Sequence, residues 1–314
     1  MRLIKQYPLA SFFVLAFLIT WTFQLTAIAL ASRYGMTLNN ETGLLHFMDL
    51  LSLRLSLEQA LVYGVFTLGA GPLISAILVT RIVDGRTGLR ALWQQSTHWR
   101  IGVRWYLIAF ALPLALALVS LGIGLLASNG QITYTPKLPL IYFVPFFLYM
   151  LIFTGIVEEP GWRGFALPRL QRRYTAEKAS WILGPLWGLW HFPFIIYYNA
   201  GQGIAPLIFS FIGLTIGIVG WTIVNTWLYN NTHSVWIMIV LHGWNNAVQS
   251  YLILSSNNPA AIGLYSILPW AIAFVLLRLY GKENLAPHPR PQGYNLPESS
   301  PAPEPFLSMV DERI

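Results

Sequence analysis

The chain has 314 residues, of which 55% are hydrophobic and only 10% charged, against roughly 25% charged in a soluble domain. So few charges cannot clothe a water-soluble surface of this size, whereas 13 Trp, 15 Tyr and 18 Phe suit lipid-facing helices with aromatic belts. The absence of Cys removes thiol catalysis, cysteine-held metals and disulfides together, and a net charge of +7 has to be located along the chain before it carries meaning.

A hydrocarbon core of about 30 Å takes about 20 apolar residues per helix. Eight stretches qualify: 8–32, 59–80, 105–128, 138–157, 180–198, 204–229, 234–254 and 262–280. The fold expected is therefore all-α, a polytopic transmembrane helical bundle of about eight spans. The first stretch follows Arg2 and Lys5 and carries Ala27, Ala29 and Ala31, the small-residue pattern of a cleaved signal peptide. Its apolar run is longer than the roughly 7 to 15 residues of a signal core, so a retained helix is expected. Between spans, 47–57 reads as an outer interfacial segment. Residues 84–104, with Leu89, Leu92, Trp93 and Trp99 among arginines, read as an inner one. The fifth and sixth spans carry Gly184 with Gly188 and Gly213 with Gly217, small-residue faces for close helix contact.

Short cytoplasmic loops collect Lys and Arg. With the N-terminus inside, the inner segments hold Arg2, Lys5, Arg81, Arg86, Arg90, Arg100, Arg104, Arg163, Arg169, Arg172, Arg173, Lys178, Arg278, Lys282, Arg290 and Arg313. These are sixteen of the chain's 19 basic residues, leaving Arg33, Arg54 and Lys137 outside. Both termini are expected in the cytoplasm, and the positive charge reads as a topology signal rather than a nucleic-acid surface. From Gly281 the composition shifts, with 7 of the 20 prolines between Pro287 and Pro305. The chain thus divides into a transmembrane domain, 1–280, and a Pro-rich, disordered cytoplasmic tail, 281–314.

Ionisable groups at membrane depth cost about 2.5 to 3.5 kcal/mol each and default to function. Glu158 and Glu159 close the fourth span, Arg163 follows one turn later, His191 lies within the fifth, and His242 with Asn246 lies within the seventh. Pro160 and Gly161 are expected to break the helix inside the protein, making a polar, wet pocket that opens to the cytoplasm. Glu159 and Arg163, four apart, share a helix face and form an ion pair; His242 and Asn246 share another. Trp162, Trp187, Trp190 and Trp244 are expected to be packing or belt aromatics, and His233 a boundary residue. A carboxylate, two imidazoles and an amide converging in a shielded cavity make a hydrolytic constellation, with a base for water and donors for an oxyanion. His-Glu-x-x-His, Gly-x-Ser-x-Gly and any intramembrane Asp are absent from the sequence, so the zinc-helix, serine and aspartyl routes have no residues to stand on.

Three motifs resemble those of the CPBP family, the CAAX protease and bacteriocin-processing or abortive-infection family that includes the type II CAAX prenyl endopeptidases. Glu-Glu-x-x-x-Arg stands as Glu158 to Arg163, followed by GFALPRLQRRY. Phe-x-x-x-His stands as Trp187 to His191 with Trp in place of Phe, and His-x-x-x-Asn stands as His242 to Asn246. The resemblance covers about 100–255. It implies an all-helical intramembrane endopeptidase in which Glu158 with His191 activates water, His242 and Asn246 stabilise the oxyanion, and Glu159 and Arg163 support them. Glu158, His191 and His242 would also suit Zn²⁺ with an open water position; the same groups suit a metal-free glutamate mechanism, which is preferred. The expected substrate is a membrane-associated peptide or protein, with or without a lipid group. The expected location is the cell (plasma) membrane, among lipid, with the active site facing the cytoplasm. The competing reading is a non-enzymatic pocket binding a peptide or lipid for immunity, scaffolding or regulation.

Overall fold

The computed structural model describes residues 1–291, an all-α chain with no strand among the described residues. Residues 292–314, which hold most of the expected Pro-rich tail, lie outside the described residues. A short α1 (Arg2–Gln6) leads into α2 (Pro8–Arg33). In α2 the buried residues Phe12, Ala16, Thr20, Gln24, Ala27 and Ala31 recur every three or four positions, so one narrow stripe faces the bundle and the rest faces outward. α3 (Asn40–Leu51) starts from a capping box. The Asn39 side chain accepts from the Thr42 N–H, and the Asn39 N–H donates back to the Thr42 hydroxyl. α4 (Leu57–Leu68) and α5 (Gly71–Val83) meet at 47°. α6 (Gly85–Ser96) is a surface helix that buries Leu92 and exposes Trp93, as expected of an interfacial segment.

α7 (Val103–Ala127) precedes α8 (Leu140–Gln171), a single helical run of 32 residues. α9 (Ala176–Trp190) and α10 (Phe192–Tyr198) meet at 44°, and the long α11 (Ile204–Thr232) follows. α12 (Val235–Val248) continues through a π turn, Gln249–Ile253, and a 3₁₀ turn, Leu254–Ser256, before α13 (Pro259–Tyr280). Among the described residues five helices, α2, α7, α8, α11 and α13, are long and apolar enough to cross a membrane, and up to seven spans result if each bent pair counts as one. The protein is therefore an integral membrane protein. The stretch 234–254, expected as a further span, is helical, but from His242 onward it carries Asn245, Asn246, Gln249 and Ser250. It is the packed centre of the bundle rather than a lipid-facing rod, with nine residues of α12 buried.

Hydrogen bonds sort the connections into two ends. At one end Arg169 pairs with Asp84, Tyr229 donates to Gln95, Ser234 to the His98 carbonyl, and Arg290 to the Gln171 carbonyl. At the other, the Leu38 N–H donates to Tyr197, the Thr135 N–H to the Ser255 carbonyl, and Lys137 lies 3.6 Å from Glu41. The first end gathers the basic loops; the second carries Arg33, Arg54 and Lys137.

Two expectations are revised. Pro160 and Gly161 do not end a helix: α8 passes straight through them, with π turns at Leu151–Ile156 and Pro160–Ala166. Proline clashes with the carbonyl four residues back, and a π turn widens the helix where that clash falls. Nor does the solvated region begin at Gly281. Leu285 and Ala286 are buried, Asn230 and Asn231 donate to the carbonyls of Asn284 and Leu285, and Gln171 donates to that of Pro291. Among the small-residue faces, Gly184 and Gly188 let α9 lie against Val219 and Thr215 of α11, where an added Cβ would come within 2.9 and 2.8 Å. Gly217 meets Ser266, whereas Gly213 has nothing within 4 Å and takes no part.

Candidate active site

The continuity of α8 sets the site. Because the helix runs on to Gln171, Glu158 and Glu159 lie in its interior between two π turns, which is where such irregularities concentrate around function. His191 ends α9 at the bend into α10, and His242 and Asn246 share one face of α12. Glycines bring α8 and α12 together: a Cβ on Gly155 would lie 2.6 Å from the Ile239 carbonyl oxygen, and one on Gly243 would lie 2.7 Å from the Leu151 backbone.

The sequence-derived residues fall into two linked layers. In the deeper one, Arg163 Nη1 donates to both oxygens of Glu159 at 3.0 and 3.1 Å, with both side chains fully buried. His242 Nδ1 lies 2.7 Å from Glu159 Oε1. A carboxylate only accepts, so that ring nitrogen carries the proton and Nε2 is left for the cavity. Arg163 Nε and Nη2 have no hydrogen-bond partner among the described residues, a cost offset in part by the guanidinium lying 4.2 Å from the Trp187 ring centre. The expected ion pair is thus present, and it also orients His242.

In the second layer, Glu158 Oε2 accepts from two indoles, Trp187 Nε1 at 2.8 Å and Trp162 Nε1 at 3.3 Å. His191 Nδ1 lies 2.8 Å from the Trp187 carbonyl oxygen; a carbonyl only accepts, so Nδ1 is the protonated nitrogen and Nε2 offers a lone pair. The Asn246 amide donates to Thr154 Oγ1 at 3.2 Å, which leaves its second N–H free. Glu158, His191, His242 and Asn246 line one cavity of about 460 Å³, within the roughly 300–1,000 Å³ of ligand sites. Trp162 and Trp187, expected only to pack, are donors to the acid. Spacing could have shown this, since each stands four residues from a site residue, Trp162 after Glu158 and Trp187 before His191. Thr154 left no such trace.

Among the described residues, no three His, Asp or Glu side chains converge as a metal-binding set. The Nε2 atoms left free on His191 and His242 are ligand-type nitrogens, but Glu158 Oε2 is taken up by two indole N–H groups and the three side chains do not gather around one point. As arranged, Glu158, His191 and His242 do not present a three-donor zinc site.

The pocket was expected to open toward the basic loops. Between the site and that end, however, Trp162, Arg163, Phe165, Ala166 and Leu167 are fully buried, and Leu170, Leu92 and Met238 nearly so. The cavity extends the other way, to Asn39, Asn40, Thr42 and His46 around the start of α3. The reason is again the unbroken α8, whose last turns fill the space that a helix ending at Pro160 would have left open.

Residues 140–248 match the family described as Type II CAAX prenyl endopeptidase Rce1-like. The chain is also 35% identical over 118 residues to the CAAX prenyl protease 2 of Methanococcus maripaludis, an overlap of 37% of this chain and 43% of that relative. The chain thus spans less than half the length of the curated relative it matches. The matched segment takes in α8 to α12, hence every site residue named above, and leaves α1 to α7 and α13 outside it. It is narrower than the 100–255 expected from the motifs.

Proposed function

We propose that this chain, whose residues 140–248 match the family described as Type II CAAX prenyl endopeptidase Rce1-like, is an intramembrane endopeptidase that hydrolyses a peptide bond in a membrane-associated peptide or protein. The observation that carries the reading is a buried carboxylate, Glu158, held by two indole N–H groups in the same cavity as His191, His242 and Asn246. Glu158 is the base: it takes a proton from water, whose oxygen attacks the scissile carbonyl, while the free Nε2 of His191 receives a hydrogen bond from the same water. The charge that develops on the carbonyl oxygen meets two donors, the free amide N–H of Asn246 and Nε2–H of His242. For Nε2 to donate, the His242 ring carries both protons, and Glu159 supplies the counter-charge 2.7 Å away. The proton held on Glu158 then passes to the leaving amine. Arg163 neutralises Glu159 and touches no substrate. The protein acts in the cell membrane on a substrate with or without a lipid group.

The test begins with substrate finding. Membrane peptides are compared by mass spectrometry between cells carrying the wild-type chain and cells carrying Glu158→Gln, and the uncut species that accumulates in the variant is then assayed with purified protein in detergent. Glu158→Gln is expected at background and Asn246→Ala about 10² to 10³-fold slow, the usual loss for one oxyanion donor. Wild-type turnover by Glu158→Gln would remove the base and the proposal with it.

A further inference from the structure

The cavity has a direction. Its floor is Glu158, His191, His242 and Asn246; its far wall is Asn40, Thr42 and His46 at the start of α3. α3 lies at the end where Leu38 binds Tyr197 and Tyr198, and where Glu41 pairs with Lys137 and Ser250. That end carries three basic residues, Arg33, Arg54 and Lys137, whereas the other gathers the basic loops, and the side rich in Lys and Arg is the cytoplasmic one. Toward the basic end the floor is closed by the fully buried Trp162, Phe165 and Leu167. We propose that the cavity is entered from the end opposite the basic loops, so that its substrate is a peptide segment presented at the outer face of the membrane rather than from the cytoplasm.

The cavity wall fits a peptide backbone. Gln24 Oε1 and Asn225 Oδ1 are buried and without hydrogen-bond partners among the described residues, and both residues line the cavity. Buried polar atoms are nearly always satisfied, and an extended chain brings a donor and an acceptor per residue to such atoms. Phe66, Phe153 and Ile195 supply apolar wall between them. The peptide as occupant rests on the endopeptidase reading; the side of entry rests on the cavity and the charges alone.

The chain has no cysteine, so one introduced thiol is the only one present. Three variants suffice: Asn40→Cys at the mouth, Gln94→Cys on α6 at the basic end, and Asn225→Cys on the cavity wall. Each is prepared in right-side-out and in inside-out membrane vesicles and treated with 2-sulfonatoethyl methanethiosulfonate, a small membrane-impermeant thiol reagent. Asn40→Cys should react in right-side-out vesicles and Gln94→Cys in inside-out ones, which fixes the orientation. Asn225→Cys should react at least tenfold faster in right-side-out vesicles. Equal or reversed rates at Asn225→Cys, or the opposite pattern at the other two, would overturn the proposal. None of these readings needs turnover, so failure of the endopeptidase reading, seen as an active Glu158→Gln, is a separate result. Should Asn225→Cys fail to insert, Tyr63→Cys on the same wall takes its place with the same expected asymmetry.

Discussion

Replacing Trp187 by Phe would give the sequence the residue its second motif more commonly carries and would delete the N–H that reaches Glu158 Oε2 at 2.8 Å. A hydrogen bond to a charged group is worth about 1.5 to 3 kcal/mol, and Trp162 retains a longer one at 3.3 Å. Trp187→Phe is therefore expected to lower kcat about tenfold with little change in KM, read from steady-state cleavage. An unchanged kcat would leave the indole a packing group. Glu158, Glu159, Arg163, His191, His242 and Asn246 were legible in the sequence because charge and amide groups are expensive in lipid and each demands a reason. Trp187 and Trp162 were not, because tryptophan is at home in a membrane protein and its one polar atom declares nothing until a partner is located. The same geometry bears on metals. With no three-donor set among the described residues, exhaustive chelation is expected to leave cleavage intact; activity lost on chelation and restored by zinc alone would show that the site rearranges around a metal.

At the scale of elements, the contact between α8 and α12 holds the two halves of the site in register. Gly243→Ala would put a Cβ 2.7 Å from the Leu151 backbone, so α12 must move away from α8 and carry His242 from Glu159. Overpacking of this kind costs about 1 to 3 kcal/mol. A lowered thermal midpoint and slowed cleavage are expected together, while Gly263→Ala on α13, where the Cβ meets nothing within 4 Å, should show neither. The sequence announced both helices through their apolar lengths. It misled at Pro160, since a proline marks a break only if the helix keeps its ordinary turn, and the π turn that accommodates it has no composition of its own. The docked residues 281–291 were hidden by their Pro-rich composition. They pack where His233 caps α11 in a left-handed conformation (φ 51°) with its ring centre 5.5 Å from that of His288. Partial burial, then the His288 and His98 rings, hold the His233 imidazole below its usual 6.5. Folding thus favours the neutral ring. Its contribution is whole above about pH 6.5 and is lost as the pH falls toward the depressed folded value. Hydrogen exchange in 282–290 should accordingly be faster, after correction for intrinsic rates, at pH 5.5 than at pH 7.5. Equal protection at the two values would show that the bonds from Gln171, Asn230 and Asn231 hold the segment without help from His233.

Across the whole molecule, the site depends on helices that lie outside its own family segment. α2 stacks Phe12 on Phe165 and sets its edge against Trp162, donates Trp21 Nε1 to the Trp190 carbonyl, and places Gln24 in the cavity wall. Trp162 in turn donates to Glu158, so the first long helix reaches the proposed base through one aromatic contact. Composition made the spans visible, but not this arrangement, because small residues spaced four apart in α2 say that something packs closely and not what it is. The crossing point is Gly71 at the start of α5. A Cβ there would lie 2.2 Å from the Ala16 carbonyl oxygen and 2.3 Å from Thr20 Oγ1, whose hydroxyl donates to the Gly69 carbonyl and accepts from the Gly71 N–H. Neither backbone can yield by a side-chain rotation, so Gly71→Val must part α2 from α5 and with it Phe12 from Trp162. A loss of at least the roughly 1 to 3 kcal/mol of an overpacked core is expected. It should appear as a lower thermal midpoint in detergent, a rise in Trp exposure measured by fluorescence quenching, and slowed cleavage. Gly64→Ala in α4, where the Cβ meets nothing within 4 Å, should gain a few tenths to about 1 kcal/mol of helix stability and leave cleavage alone. If Gly71→Val lowered the thermal midpoint but cleaved at the wild-type rate, α2 would be a strut that the bundle needs and the site does not.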